Sequence, residues 1–319
     1  MRSRAIQPGG LDGYIIAAHR QRTRARALRR SVQMAFSFNF AGPATPPDPP
    51  PPPPAAAPPP AAAHALQLLP FPAAGPDDGA LAFAPLPGYP RLQRAVPPDA
   101  DAISGARAVD VIPGLYEGGA KVWECTADLL LLLGSPALAA RLRGARVLDL
   151  GCGGGLLGAA ALLGGAAEVT LQDLNAPVLL RLAAPNVARN AGAAAAARVA
   201  LLAGGWEAML GALRGAGEGG GGGGGDAGAH LRRGFDVVLS SETLYREEAH
   251  ATVAALLAAL LRPGGVALLA AKRFYFGVGG GTRRFMASAA PAAGLRCEVV
   301  AVVEDGRSNV REVLRVERG

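Results

Sequence analysis

The stretch VLDLGCGGGLLG (147–158) brings an apolar, strand-like run to a turn that carries Gly151, Gly153 and Gly155, after which an apolar helix begins. Glycines at such a turn let a ligand approach the backbone, and the unpaired N–H groups of the helix start favour a polar or anionic part of it. Two acids frame the turn. Asp149 stands two residues before the first glycine, at the strand's end, where a carboxylate would meet an ammonium group and repel a pyrophosphate. Asp173, flanked by Gln172 and Leu174, ends a second strand-like run and is placed to take a ribose diol. The run from Gly153 to Gly158 also satisfies GxGxxG with Asp173 20 residues on, as in a dinucleotide site. That match is weak, because the chain has 44 glycines and no hydride-transfer site follows. A glycine turn with a purely structural reason is the third reading.

The elements that must carry these residues alternate. Strand-like runs lie at 145–150, 168–173, 198–203, 235–240 and 265–272, separated by helix-like stretches at 156–164, 176–191, 206–214 and 247–261. Near-continuous apolar strands alternating with helices indicate a parallel sheet covered on both faces. A last helix, about 282–291, precedes two strand-like runs, LRCEVVAVVE and NVREVLRVE, joined by a DGRSN turn that reads as a hairpin. The expected fold is therefore α/β: a doubly wound, Rossmann-like sheet of seven strands with one antiparallel strand. Such a sheet binds ligands beyond the carboxyl ends of its strands, beside the first. The acid-x-Gly-x-Gly-x-Gly form with Asp173 on the second strand resembles the S-adenosyl-L-methionine site of seven-strand, class I methyltransferases.

Composition narrows the classes. The net charge of +7 comes from residues 1–33, which hold eight arginines and one acid. The rest is neutral, so a basic nucleic-acid groove loses its support. Cys125, Cys152 and Cys297 lie far apart without zinc-ligand spacing, and a sparse, odd count fits a reducing compartment. No run reaches the roughly 18 apolar residues of a membrane span. Residues 1–105 read as a low-complexity, largely disordered leader: an Arg-rich extension at 1–33, then a proline tract at 41–63. Residues 106–319 read as the catalytic domain, with a Gly-rich insert at 215–229 that includes seven glycines in a row, expected as a surface loop.

Three blocks carry a narrower resemblance. They are IPGLYEGGAKVWECTADLL (112–130), SSETLY (240–245) and AAKRFYFGVGGG (270–281). Together they resemble the histidine protein methyltransferase family, the branch of seven-strand enzymes that methylates a histidine of a large-subunit ribosomal protein. The ETLY element is shared with many protein-lysine methyltransferases, whereas the other two blocks are narrower. Upstream, MAFSFNF (34–40) resembles the amino terminus of that family, which would make residues 1–33 an extension. The resemblance implies a protein-histidine N-methyltransferase that uses S-adenosyl-L-methionine and acts on a ribosomal protein in cytosol and nucleus; a monomer is expected, and charge and hydropathy give no reason to expect nucleic acid or membrane as a partner. A lysine methyltransferase of the same fold and a non-catalytic ribosome-assembly scaffold are the alternatives.

The resemblance also implies roles. Val122, Trp123, Glu124, Cys125 and Thr126 would form part of the cofactor pocket, although a helix start with a core tryptophan explains them too. Gly151, Gly153 and Gly155 would line the methionine and ribose portion, and Gly204, Gly205 and Trp206 would flank adenine. Ser241 would touch the cofactor, unless it only caps a helix, and Glu242 would stand at the methyl-transfer end as the catalytic carboxylate, fixing the tautomer of the target imidazole. Tyr245, Phe274, Tyr275 and Phe276 would shape the target recess, with core burial as the alternative for the last three. His19, His64, His230 and His250 fall in weakly patterned or helical surface positions and take no role.

Overall fold

The computed structural model describes residues 65–72, 81–96, 111, 116–215, 224–306 and 308–319. The Arg-rich start, the MAFSFNF element, the proline tract, His19 and His64 lie outside the described residues.

The strands are β1 (Gln67–Leu69), β2 (Ala82–Leu86), β3 (Tyr89–Val96), β4 (Arg146–Leu150), β5 (Glu168–Asp173), β6 (Val199–Ala203), β7 (Phe235–Ser241), β8 (Leu261–Lys272), β9 (Leu295–Val303) and β10 (Arg311–Arg318). The central sheet runs β1-β6-β5-β4-β7-β8-β10-β9. Strands β4 to β8 pair in parallel, and β10 lies antiparallel between β8 and β9. Strands β4 to β10 are the expected seven, with a single antiparallel strand among them. One strand was not expected: β1 adds antiparallel to the β6 edge and makes the sheet eight-stranded. After β4 the chain winds first toward β5 and β6 and then returns to β7 on the other side. A crevice therefore opens at the carboxyl ends of β4 and β7.

Successive residues of β4 face opposite layers, as a period of two requires. Val147 joins the cluster containing Leu129, Leu130, Leu157 and Leu171, while Leu148 and Leu150 join Leu202, Val238, Leu257 and Phe235. The first layer is built by α1 (Glu124–Leu133), α2 (Pro136–Leu142), α3 (Leu156–Leu163) and a helix over 176–191. The second is built by α5 (Trp206–Arg214), α6 (Gly224–Arg232) and α7 (His250–Leu260), the 176–191 helix counting as α4. The 176–191 helix and the one over 282–292 each pass through a wide π turn ahead of an internal proline, Pro185 or Pro291, which has no N–H for the regular ladder.

Part of the stretch assigned to a disordered leader is structured. β2 and β3 form a two-stranded hairpin that buries Leu86 and Leu92 against α1. Its backbone is clamped to the helix over 176–191: the Ala95 N–H donates to Asn186 Oδ1 at 2.6 Å and the Gln93 N–H to Asn190 Oδ1 at 2.8 Å. Pro85 and Pro90 hide these strands from a propensity reading, yet a hairpin outside the main sheet tolerates them. The Gly-rich insert is likewise not all loop, since α6 starts at Gly224 and buries Ala227 and Leu231. Residues 216–223 lie outside the described residues.

Candidate active site

A cavity of about 500 Å³ occupies the crevice. Its floor is the turn after β4. Gly151 and Gly153 line it, and both have left-handed backbone. A Cβ at Gly153 would lie 2.8 Å from the Gly119 carbonyl oxygen, so this glycine is required for the 117–122 segment to fold over the turn. Gly155 does not line the cavity. It packs against Ala183 and Leu171, where it sets helix α3 on the sheet.

The two acids sit at either side of this floor. Asp149 faces α3 and accepts the Gly158 N–H at 2.9 Å, while its Oδ1 is buried without a partner. Burial raises its pKa to about 7, against the Gly158 hydrogen bond that lowers it. Asp173 accepts N–H groups from Gly153 and Asn175, both at 3.0 Å, and burial lifts its pKa to about 6. Gln172 ties the walls together. Its Oε1 accepts from the Gly151 N–H at 3.1 Å and the Trp206 indole N–H at 3.0 Å, and its amide donates to the Gly204 carbonyl at 2.8 Å. Leu174, Gly204, Gly205 and the half-buried Trp206 complete that side.

Opposite stand residues from the start of α1 and the end of β7. Val122, Trp123 and Thr126 line the cavity, and Thr126 Oγ1 lies 3.1 Å from Ser241 Oγ. Glu124 and Cys125 do not. Side chains on a helix step around its axis, so five consecutive residues cannot share one wall. Glu124 turns outward to Lys272, 3.3 Å away, and Cys125 is fully buried beneath the site. Burial first, and then the neighbouring Glu242 carboxylate, push the Cys125 thiol pKa well up.

Glu242 lines the cavity and is the one non-glycine residue with left-handed backbone among the described residues, at φ 59°. Residues held there are strained and cluster at functional sites. The Tyr275 hydroxyl donates to Glu242 Oε2, and Oε1 is buried with no hydrogen-bond partner. Tyr275 also accepts the Lys272 N–H at 3.1 Å and meets Tyr245 edge-on, with ring centroids 6.4 Å apart. Its ionisation is strongly disfavoured, by burial first and then by Glu242. Tyr245 and Tyr275 both line the cavity, but Phe274 and Phe276 do not: they are 50% and 86% exposed, outside its mouth.

Several lining residues escape a sequence reading. Glu117, Gly118, Gly119 and Lys121 precede the assigned pocket stretch, and Thr243 and Arg246 follow Ser241 and Glu242. Glu117 and Arg246 form a 2.6 Å ion pair across the cavity, and the Lys121 ammonium sits 4.5 Å from the Trp123 ring centroid. The signal was the Gly118-Gly119 pair, whose use is close backbone approach: a Cβ at Gly119 would press on Asp173 and Val178. Two histidines read as surface residues are enclosed instead. His250 is buried, with Nε2 3.0 Å from the Leu244 carbonyl. His230 contacts Thr170 and Arg146, and burial followed by the Arg146 charge lowers its pKa to about 4.

The cavity fits an adenosyl amino acid. Its volume lies in the range of small-molecule sites. Asp149 Oδ1 is an unsatisfied buried acceptor of the kind an ammonium group satisfies. Asp149 repels pyrophosphate, Asp173 suits ribose hydroxyls, and Trp206 offers an aromatic face.

The chain is similar in sequence to proteins named as methyltransferases. Residues 135–209 match the family model described as ribosomal protein L11 methyltransferase (PrmA). A Dictyostelium discoideum protein named histidine protein methyltransferase 1 homolog is 36% identical over 65% of this chain and 60% of its own length. The Rattus norvegicus protein of the same name is 34% identical over 62% of this chain and 56% of its own. The chain thus spans about 60% or less of the length of these relatives. A solved S-adenosylmethionine-dependent methyltransferase from Mesorhizobium loti covers 60% of this chain and 98% of its own at 17% identity, with a TM-score of 0.41.

Proposed function

We propose that this chain is a member of the histidine protein methyltransferase family that takes S-adenosylmethionine as its cofactor and methylates a histidine of a large-subunit ribosomal protein. The observation that carries the reading is the meeting of three separate blocks at one cavity. Glu117, Trp123 and Thr126 from the first, Ser241, Glu242 and Tyr245 from the second, and Tyr275 from the third line the same crevice as Gly151 and Asp173. The names of the relatives support histidine as the target.

When bound, the cofactor supplies a methyl group already activated by a sulfonium. The residues of this chain have to bind, orient and exclude water. Asp173 takes the ribose hydroxyls and Asp149 the ammonium group, while Gln172 holds Trp206 and Gly151 in register. Tyr245 and Tyr275 narrow the acceptor end. A neutral imidazole, with an ordinary pKa near 6.5, is a nucleophile at neutral pH and needs no strong base. One nitrogen attacks while the other carries the proton. Glu242, steadied by the Tyr275 hydroxyl, holds that N–H and afterwards takes the proton; its unpartnered Oε1 is the acceptor available to it.

The test is incubation with large-subunit ribosomal proteins and labelled cofactor, followed by mass spectrometry of the modified peptide. Methylhistidine is expected, with a rate that rises through about pH 6 to 7 and then levels. Methyllysine as the main product, with a rate still climbing at pH 9, would overturn it.

A further inference from the structure

Five large hydrophobic side chains are exposed among the described residues, and three of them, Phe274, Phe276 and Val278, fall within five positions of one loop. Single exposed apolar residues need no explanation, but a cluster does. Phe276 is 86% exposed, Phe274 50% and Val278 45%. The residue between the two phenylalanines, Tyr275, points the other way and lines the cavity. The loop therefore carries one face of the reaction chamber and an apolar ridge immediately outside it.

The ridge is mounted rigidly. The Gly281 N–H donates to the Leu244 carbonyl at 2.8 Å, the Gly279 N–H to the Tyr275 carbonyl at 3.1 Å and the Tyr275 N–H to the Gly280 carbonyl at 3.2 Å. The Asn309 amide donates to the Phe274 carbonyl, and Arg246 bridges to Gly279. A Cβ at Gly280 would collide with the Leu244 and Tyr245 carbonyls, so the glycine run exists to press this loop onto the one after β7. A side chain held out on such a mount loses little freedom on binding.

Charge says what the ridge meets. The arginines around it are each engaged by a carboxylate: Arg273 and Arg283 share Glu312, Arg284 pairs with Glu247 and Arg246 with Glu117. An apolar rim whose cations are already paired does not suit nucleic acid, whose binding is carried by cations free to meet phosphate. Size says how long it stays. Two part-exposed phenylalanines and a valine offer roughly 400 Å² at most, about half of what one partner contributes to a standard stable interface. That suits a substrate that must leave after each turnover better than a second copy of this chain.

We propose that Phe274, Phe276 and Val278 are the docking ridge for the protein substrate, gripping apolar side chains next to the residue that enters the cavity. The proposal rests on the protein-methyltransferase reading. It adds that the substrate is chosen partly by hydrophobic residues flanking its target.

The test uses the full chain with purified large-subunit ribosomal proteins and labelled cofactor. Replacing Phe276 with Ser, alone and together with Phe274→Ser, should raise KM for the labelled protein about tenfold or more. kcat should stay within about twofold, and cofactor affinity by calorimetry should match wild type. Leu163→Ser, an exposed apolar residue on α3 away from the mouth, should change none of these. A photo-crosslinker at position 276 should join the peptide that carries the methylated residue. If wild type labels a protein but the crosslink lands far from the modified residue, or KM does not move, the ridge proposal is overturned and the methyltransferase reading stands. Crosslinks between two copies of the chain overturn it in the same way. If wild type labels no protein at all, the reading fails and the ridge falls with it.

Discussion

At the scale of the residue, Asp149 is the group with the most to reveal. Its folded pKa of about 7 lies far above its ordinary value, and it is 1% exposed, so little solvent screening applies. A raised acid pKa means the charged form is disfavoured in the fold. Its contribution to stability is present below about pH 4 and is lost as pH rises from there through about 7, on the order of 4 kcal/mol. An ammonium group of the cofactor reverses that preference by favouring the carboxylate. Cofactor affinity should therefore climb from pH 5 to about 7 and then flatten, with close to one proton released per binding event near pH 6. Calorimetry in buffers of different ionisation enthalpy reads that proton directly; a heat independent of buffer at pH 6 would remove the ammonium role of Asp149. The chemistry of this acid is legible from its place before the glycines. Its pKa is not, because it comes from neighbours such as Gly158 and from the depth of the layer above. Glu124 and Cys125 show the same limit: a motif names a stretch, and the helix phase decides which members of it face the ligand.

At the scale of the element, the parallel strands and the carboxyl-terminal hairpin were readable because short apolar runs, such as VVL in β7 and VALLAA in β8, recur between helix-like stretches and turns. The loops that build the acceptor end were readable only as blocks, without the reason for their glycines. That reason is contact between two loops distant in sequence, 244–246 and 273–281. It makes a sharp expectation for Gly280→Ala. The new methyl group would strike the Leu244 and Tyr245 carbonyls, so the 273–281 loop must lift away. The hydrogen bond from Gly281 to Leu244 and the seat of Tyr275 beside Glu242 would be lost with it. Methyl transfer should fall by about tenfold or more, while cofactor affinity, set by the glycine turn and Asp173, stays near wild type. The variant's binding isotherm beside its turnover rate separates the two, and a parallel loss of both would mean the loop serves the cofactor instead. Gly153→Ala makes the opposite case, since its methyl group would meet the Gly119 carbonyl at 2.8 Å within the cofactor cavity itself.

At the scale of the whole molecule, the cofactor layer is closed from outside by a hairpin that a composition reading assigns to a disordered leader. Leu86 and Leu92 are each 1% exposed and sit in the same cluster as Leu129 and Leu130 of α1, the helix whose first turn carries Thr126 into the site. Fully burying a leucine contributes about 1.5–3 kcal/mol, so these two alone approach the marginal stability of an ordinary domain, about 5–15 kcal/mol. The clamp from Asn186 adds a second link, because its amide also donates to the Gly154 carbonyl at 2.8 Å, tying hairpin, helix and glycine turn into one unit. A chain begun at residue 97 should therefore melt well below one begun at residue 65. Removing β1 in the same step frees the β6 edge next to Gly204 and should also promote self-association through the exposed strand. The loss should reach the site before global unfolding does. With the hairpin gone, α1 and the glycine turn lose their outer support, and cofactor affinity should drop even at temperatures where circular dichroism still reports the sheet. Equal melting temperatures and equal affinities for the two chains would show that the hairpin merely rests on the domain.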